Sequence, residues 1–118
     1  MVVVAWKDRV EAVRAVTVAR PFLAEAKQVK LVSVTERTKD DSATAMADYL
    51  TKAGLRVELV ELAADSGEVG PVLLEAATGR GVLLVMGAYG HWRWREWVLG
   101  GVTDFVLRNT SVPVLTMH

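Results

Sequence analysis

The stretch Val82-Leu83-Leu84-Val85-Met86-Gly87-Ala88-Tyr89-Gly90-His91-Trp92-Arg93-Trp94-Arg95-Glu96-Trp97-Val98-Leu99-Gly100-Gly101-Val102-Thr103 decides how this chain is read. Val82 to Met86 is apolar throughout, the pattern of a strand buried on both faces. Val98, Leu99, Val102, Phe105 and Val106 recur at helical spacing and fit a helix that fades at Asn109. Gly87 to Thr103 holds four of the nine glycines and three of the four tryptophans. A strand, a glycine-rich loop and a helix start, in that order, let backbone amides face an anion.

Upstream, the same alternation repeats. Val2-Val3-Val4-Ala5-Trp6 is a second fully apolar strand, closed by the charged turn Lys7-Asp8-Arg9. Asp8 is placed to cap a helix with a stripe at Val10, Val13, Val16, Thr17 and Arg20, which Pro21 should kink or end, Phe22-Leu23 continuing its buried face. Val29 to Val34 is the next strand, leading into the polar cluster Glu36 to Asp41. Asp41 or Ser42 then caps a helix with Met46, Tyr49, Leu50 and Ala53 inward and Gly54 at its C′ position. Leu55 to Val60 alternates apolar with charged, the pattern of a strand with one wet face near a sheet edge. A short helix over Ser66 to Thr78 carries Pro71 in its first turn and turns Val69, Val72, Leu73 and Ala76 inward. Val112 to Met117 is the last strand, and Pro113 within it argues for an edge.

Strands alternating with helices give an α/β fold with an open parallel five-stranded sheet and helices on both faces. With the two apolar strands central, the simplest order is 3-2-1-4-5. Ligands in such sheets lie beyond the carboxyl ends of the strands where the winding reverses. Here that is between the first and fourth strands, under the loops Trp6 to Arg9 and Gly87 to Gly101.

With 118 residues and 52% hydrophobic content, residues 1–118 read as one domain able to bury its own core. Fourteen basic and fourteen acidic residues cancel, which removes the broad positive field that nucleic-acid binding needs. The absence of cysteine excludes disulfides, thiolate metal sites and cysteine nucleophiles. No window approaches the ~20 apolar residues of a membrane helix. Met1 to Lys7 has neither the basic segment nor the apolar length of a secretory leader, so the reading is a soluble cytoplasmic protein.

Gly87, two residues, Gly90, nine residues, Gly100 is the spacing that identifies a family. Read with strand one ending Val-Ala-Trp, the helix with an internal proline, the Met-Gly-x-x-Gly-His loop and the Gly-x-Val-Thr helix start, the whole chain resembles the universal stress protein (UspA-type) family. The resemblance implies a Rossmann-like fold of the adenine nucleotide alpha-hydrolase-like kind, sheet order 3-2-1-4-5 and a stress-response role. It also implies a homodimer through the last strand, here Val112, Val114, Leu115 and Met117, or pairing with another universal stress domain. In one branch of the family ATP, with Mg²⁺ accompanying it, sits at the switch point. Glycine amides and a following Ser or Thr hydroxyl hold its phosphates. Carried onto this sequence, the nucleotide-binding set is Ala5, Trp6, Lys7, Val32, Gly87, Gly90, His91, Arg93, Gly100, Gly101 and Thr103. Two positions depart from the pattern. Gly101 stands where the branch has the hydroxyl, with Thr103 as its nearest substitute, and Lys7 stands where it has an aspartate directed at the ribose.

The same residues have structural readings. The glycines serve equally for a tight turn or close helix packing. Trp92 and Trp94 are candidates for an adenine lid, a protein contact or a fold-back over the loop, while Trp97 belongs with the helix stripe. Arg93 and Arg95 either fork onto phosphate or remain solvated. His91 has no evident nucleophile partner, and no metal spacing, nucleophile elbow or Walker lysine occurs. The expectation is a binding protein, with slow ATP hydrolysis at most. Its alternative is an interaction module of the same fold that acts through its dimer surface and Trp/Arg loop without nucleotide.

Overall fold

The computed structural model describes residues 1–35, 41–88 and 101–118. Five parallel strands form one sheet: β1 (Val2–Trp6), β2 (Val29–Thr35), β3 (Val57–Ala63), β4 (Leu83–Gly87) and β5 (Val114–Met117). Their order is β3-β2-β1-β4-β5, as the sequence predicts. Val4 of β1 aligns with Leu31 of β2 on one side and Val85 of β4 on the other, so β1 is enclosed by backbone hydrogen bonds at the centre.

The period of two along β1 divides the core. Val2, Val4 and Trp6 enter one layer with helices α1 (Val10–Glu25) and α2 (Asp41–Lys52). Val3 enters the other with α3 (Val69–Ala76) and α4 (Gly101–Asn109). β1, β2 and β4 are apolar throughout or nearly so because both faces are covered. β3, at the edge, exposes Glu58 and Glu61 between half-buried Val57, Leu59, Val60 and Leu62.

The helices depart from the predicted stripes in an instructive way. The N-cap of α1 is Arg9, with no side-chain capping bond, and Asp8 is exposed. Its buried row is Glu11, Ala15, Ala19 and Leu23, flanked by Ala12 and Val16, whereas Val10 and Val13 are exposed. Alanine on this face lets the helix approach the sheet closely, and larger valines point outward. The helix runs through Pro21 to Glu25, and Phe22 is exposed while Leu23 is buried. In α2, Leu50 is buried and Met46 half-buried as expected, but Tyr49 and Ala53 are exposed, and Ala43 fills the core. The end of α2 is as predicted: Gly54 has φ 92°, its N–H bonds Thr51 O and the Leu55 N–H bonds Leu50 O. That is the paired hydrogen-bond closure a left-handed C′ glycine permits.

A short 3₁₀ turn over Ser66–Glu68 precedes α3, which buries Gly70 and Leu73. Phe105 of α4 lies over Gly70, where a Cβ would sit 2.7 Å from the ring, and is otherwise exposed. Val106 and Thr103 are the buried residues of α4. Pro113 stands just before β5 instead of within it, and its carbonyl accepts from the Leu84 N–H. Among the described residues no helix is long and apolar enough to cross a membrane.

Candidate functional site

The carboxyl ends of β1 and β4 lie side by side, and the chain leaves them in opposite directions: from β1 into α1 over one face, from β4 towards α4 over the other. This is the reversal at which open α/β sheets bind ligands.

On the β1 side, Ala5 is half-buried, facing the layer of α3 and α4, and pairs with Val32 and Met86. Val32 is 1% exposed, so only its neighbourhood borders the crevice. Trp6 points the other way. It is 6% exposed and its indole Nε1–H donates to Ser42 Oγ at 3.0 Å, fastening the end of β1 to the first turn of α2. Lys7 is exposed on the tight turn in which the Arg9 N–H bonds Lys7 O at 2.7 Å.

On the β4 side, Gly87 and Gly101 separate in character. Gly87 belongs to a strand, and a Cβ there would meet Ala12 N at 2.7 Å, Glu11 C at 2.7 Å and Glu11 Cβ at 2.9 Å. Glycine is required at this place because the backbone of α1 presses on it. Gly101 is exposed at the start of α4 and a Cβ would meet nothing within 4 Å among the described residues. Thr103, two residues into the same helix, is 6% exposed and makes a polar or ring interaction. Gly101 is the first residue of α4, and the first turn of an α-helix carries N–H groups without an intrahelical acceptor and the positive end of its dipole. Gly90, His91, Arg93 and Gly100, together with Trp92, Trp94, Arg95, Trp97, Val98 and Leu99, lie outside the described residues.

Glu11 is a buried acidic residue beside the carboxyl end of β4 that the sequence pattern did not single out. It occupies the first turn of α1 against Gly87, is 5% exposed, and neither carboxylate oxygen has a hydrogen-bond partner among the described residues. The signal was available: Glu11, Ala15, Ala19 and Leu23 fall on one i, i+4 row, and alanines in such a row mark a face held tightly against its neighbour. Among the described residues no group of three or more His, Cys, Asp or Glu gathers as a metal site.

On the last strand, Val114, Leu115 and Met117 are half-buried on an edge that pairs only with β4 among the described strands. Val112 is 7% exposed and belongs to the core beneath α3 and α4, not to that edge.

Comparison with known proteins places this architecture. The family model described as Universal stress protein family matches residues 3–118. Universal stress protein Slr1230 of Synechocystis is 40% identical over 92 residues, which are 75% of this chain and 31% of that protein. The chain thus spans under a third of that relative's length. A universal stress protein from Archaeoglobus fulgidus superposes with a TM-score of 0.72 at 21% identity, over 96% of this chain and 41% of the other. The hypothetical protein MJ0577, whose structure was used to assign a biochemical function, gives 0.67 at 19% identity, over 98% and 94%.

Proposed function

This chain belongs to the universal stress protein family, and on that premise we propose that its switch-point crevice binds an adenine nucleotide, ATP or AMP, as a regulatory or structural ligand. The observation that carries the reading is the start of α4. Gly101, the first residue of α4, is exposed and a Cβ there would meet nothing within 4 Å among the described residues, with Thr103 two residues further in. Phosphate oxygens there meet backbone N–H groups and a helix dipole, both suited to an anion. Mg²⁺ fits as an ion held mainly by the phosphates, since magnesium ordinarily takes one or two protein oxygens and keeps its water.

Titration calorimetry with ATP, ADP and AMP tests the reading, and silence at millimolar nucleotide removes it. Gly101→Ser supplies the hydroxyl that the ATP-binding pattern has at this position, and among the described residues nothing within 4 Å of a Cβ there obstructs it. A hydrogen bond to a charged oxygen is worth ~1.5–3 kcal/mol, so affinity should rise about ten- to a hundredfold. A thermal melt should follow, with stabilisation of ~2.7 kcal/mol when ligand is a hundredfold above Kd. If Gly101→Ser changes nothing and nucleotide has no effect on the melt, the chain is an interaction module. The exposed Lys7 and the inward Trp6 favour that second reading.

The proposal includes dimerisation. Val114, Leu115 and Met117 leave a half-buried apolar edge, and an open edge of this kind is stabilised by pairing with a second copy or with another domain of the same fold. Light scattering at micromolar concentration should report twice the chain mass. A monomer counts against the homodimer.

A further inference from the structure

Helix α1 has a flank on either side of its buried row, and among the described residues another helix meets only one of them. On that flank Arg20 Nη1 donates to Tyr49 Oη of α2 at 3.3 Å. Along the other flank Arg14, Val18 and Phe22 follow at i, i+4 and i+8, which is one row of a helix surface. Arg14 fixes the place of that row, because its Nη1 donates to His118 O at 3.2 Å, just past the end of β5. The crossover from β1 to the parallel β2 makes α1 run back against the strands, so Val18 and Phe22 return from that point alongside β5. Val18 is 46% and Phe22 53% exposed, although the alanines one residue further on or back along the helix are buried. On the same face of the sheet, Leu115 and Met117 pack against the α1/α2 layer and are half-buried, since β5 is the last strand and no described helix lies beyond it.

We propose that Val18 and Phe22, with Leu115 and Met117, form a helical second layer of an interface between two copies of this chain; this rests on the β5 dimer proposed above. The four residues of β5 make a ladder only about 13 Å long. A stable interface takes about 800 Å² and 20–30 residues from each partner, so strand pairing alone falls well short of it. A two-fold axis normal to the sheet at the β5 edge sets the two strands antiparallel and keeps both copies of α1 on one face of a joined sheet. Each helix then turns its Arg14, Val18 and Phe22 flank towards the other, and the apolar side chains close over the paired strands. The flank is also self-complementary in charge. Arg14 and Glu25 are exposed near its opposite ends, so antiparallel helices bring the cation of one copy towards the carboxylate of the other. That match selects a second copy over an unrelated partner.

The test is the dimer dissociation constant of the whole chain, measured by sedimentation equilibrium. Phe22→Asp and Val18→Asp should each raise it about tenfold or more, the effect of placing a charge at the centre of a desolvated apolar contact. Val13→Asp is the control: Val13 is 42% exposed in the same helix but on the Arg20 side, and the constant should stay within about twofold of the parent's. Circular dichroism checks that all three remain folded. A second measurement needs no destabilising charge. The sequence has no cysteine, so Val18→Cys introduces a single thiol, which a short bis-maleimide should join into a covalent dimer, whereas Val13→Cys should remain uncoupled. A parent that dimerises with a constant unmoved by Phe22→Asp and Val18→Asp overturns the helical layer and leaves the β5 dimer standing. Equal weakening by all three aspartates, or equal coupling of the two cysteine variants, overturns it as well. A parent that is monomeric at all concentrations overturns both readings together.

Discussion

Gly87→Ala is expected to destabilise the protein by ~1–3 kcal/mol, and Gly87→Val by more, the range in which overpacking a tight contact falls. A Cβ at position 87 would lie 2.7 Å from Ala12 N, 2.7 Å from Glu11 C and 2.9 Å from Glu11 Cβ. Two of those three are main-chain atoms of a sixteen-residue helix, which cannot rotate aside as a side-chain tip would. Relief therefore requires α1 to retreat from β4, which opens the seam along Ala15, Ala19 and Leu23 as well. Against a total stability of ~5–15 kcal/mol, that is a large fraction. Urea denaturation reads it as a lower midpoint with an unchanged slope. Gly101→Ala is the control, since its Cβ meets nothing within 4 Å among the described residues, and its unfolding free energy should remain within ~0.5 kcal/mol of the parent's. If Gly87→Ala is as stable as the parent, the close approach of α1 is not what fixes glycine there.

Gly87 also shows where sequence reading stops. Its place in the Gly-x-x-Gly frame was plain, but a turn, a phosphate contact and close packing all ask for glycine, and spacing cannot separate them. The structure favours packing for Gly87, whereas at Gly101 a Cβ would meet nothing within 4 Å among the described residues. The fold was readable because strand burial leaves a coarse mark. Val2 to Trp6 and Val82 to Met86 are apolar on both faces, which only a central parallel strand needs, and their position fixes the order of the rest. Helix faces were less readable. In α1 the hydrophobicity scale points to Val10 and Val13, whereas the sheet takes the alanines and Glu11. Close approach selects for small side chains, so an apolar stripe read by size points to the wrong side of such a helix. A buried carboxylate within that face runs against every polarity rule, and only the row Glu11, Ala15, Ala19, Leu23 reveals it.

Trp6→Ala should cost ~3–5 kcal/mol, the range for truncating a buried aromatic. Trp6 fills the α1/α2 layer beside Ala43, and its Nε1–H bond to Ser42 Oγ, 3.0 Å, joins positions thirty-six residues apart. Removing it leaves a void under α2 and frees the end of β1, from which the turn to Lys7 and the start of α1 both hang. Trp6→Phe separates the two contributions: it keeps most of the volume and loses the hydrogen bond, which is worth ~1 kcal/mol. The pair also decides where the indole acts. As a core residue turned towards α2, Trp6 has no surface for a base to stack on, so Trp6→Phe should bind nucleotide with the parent's affinity while unfolding at a lower urea concentration. A tenfold loss of affinity at unchanged stability would put the indole in the crevice. The same variant leaves Trp92, Trp94 and Trp97 as the only indoles in the chain, so a nucleotide-dependent change in its fluorescence would report on the Trp/Arg loop alone.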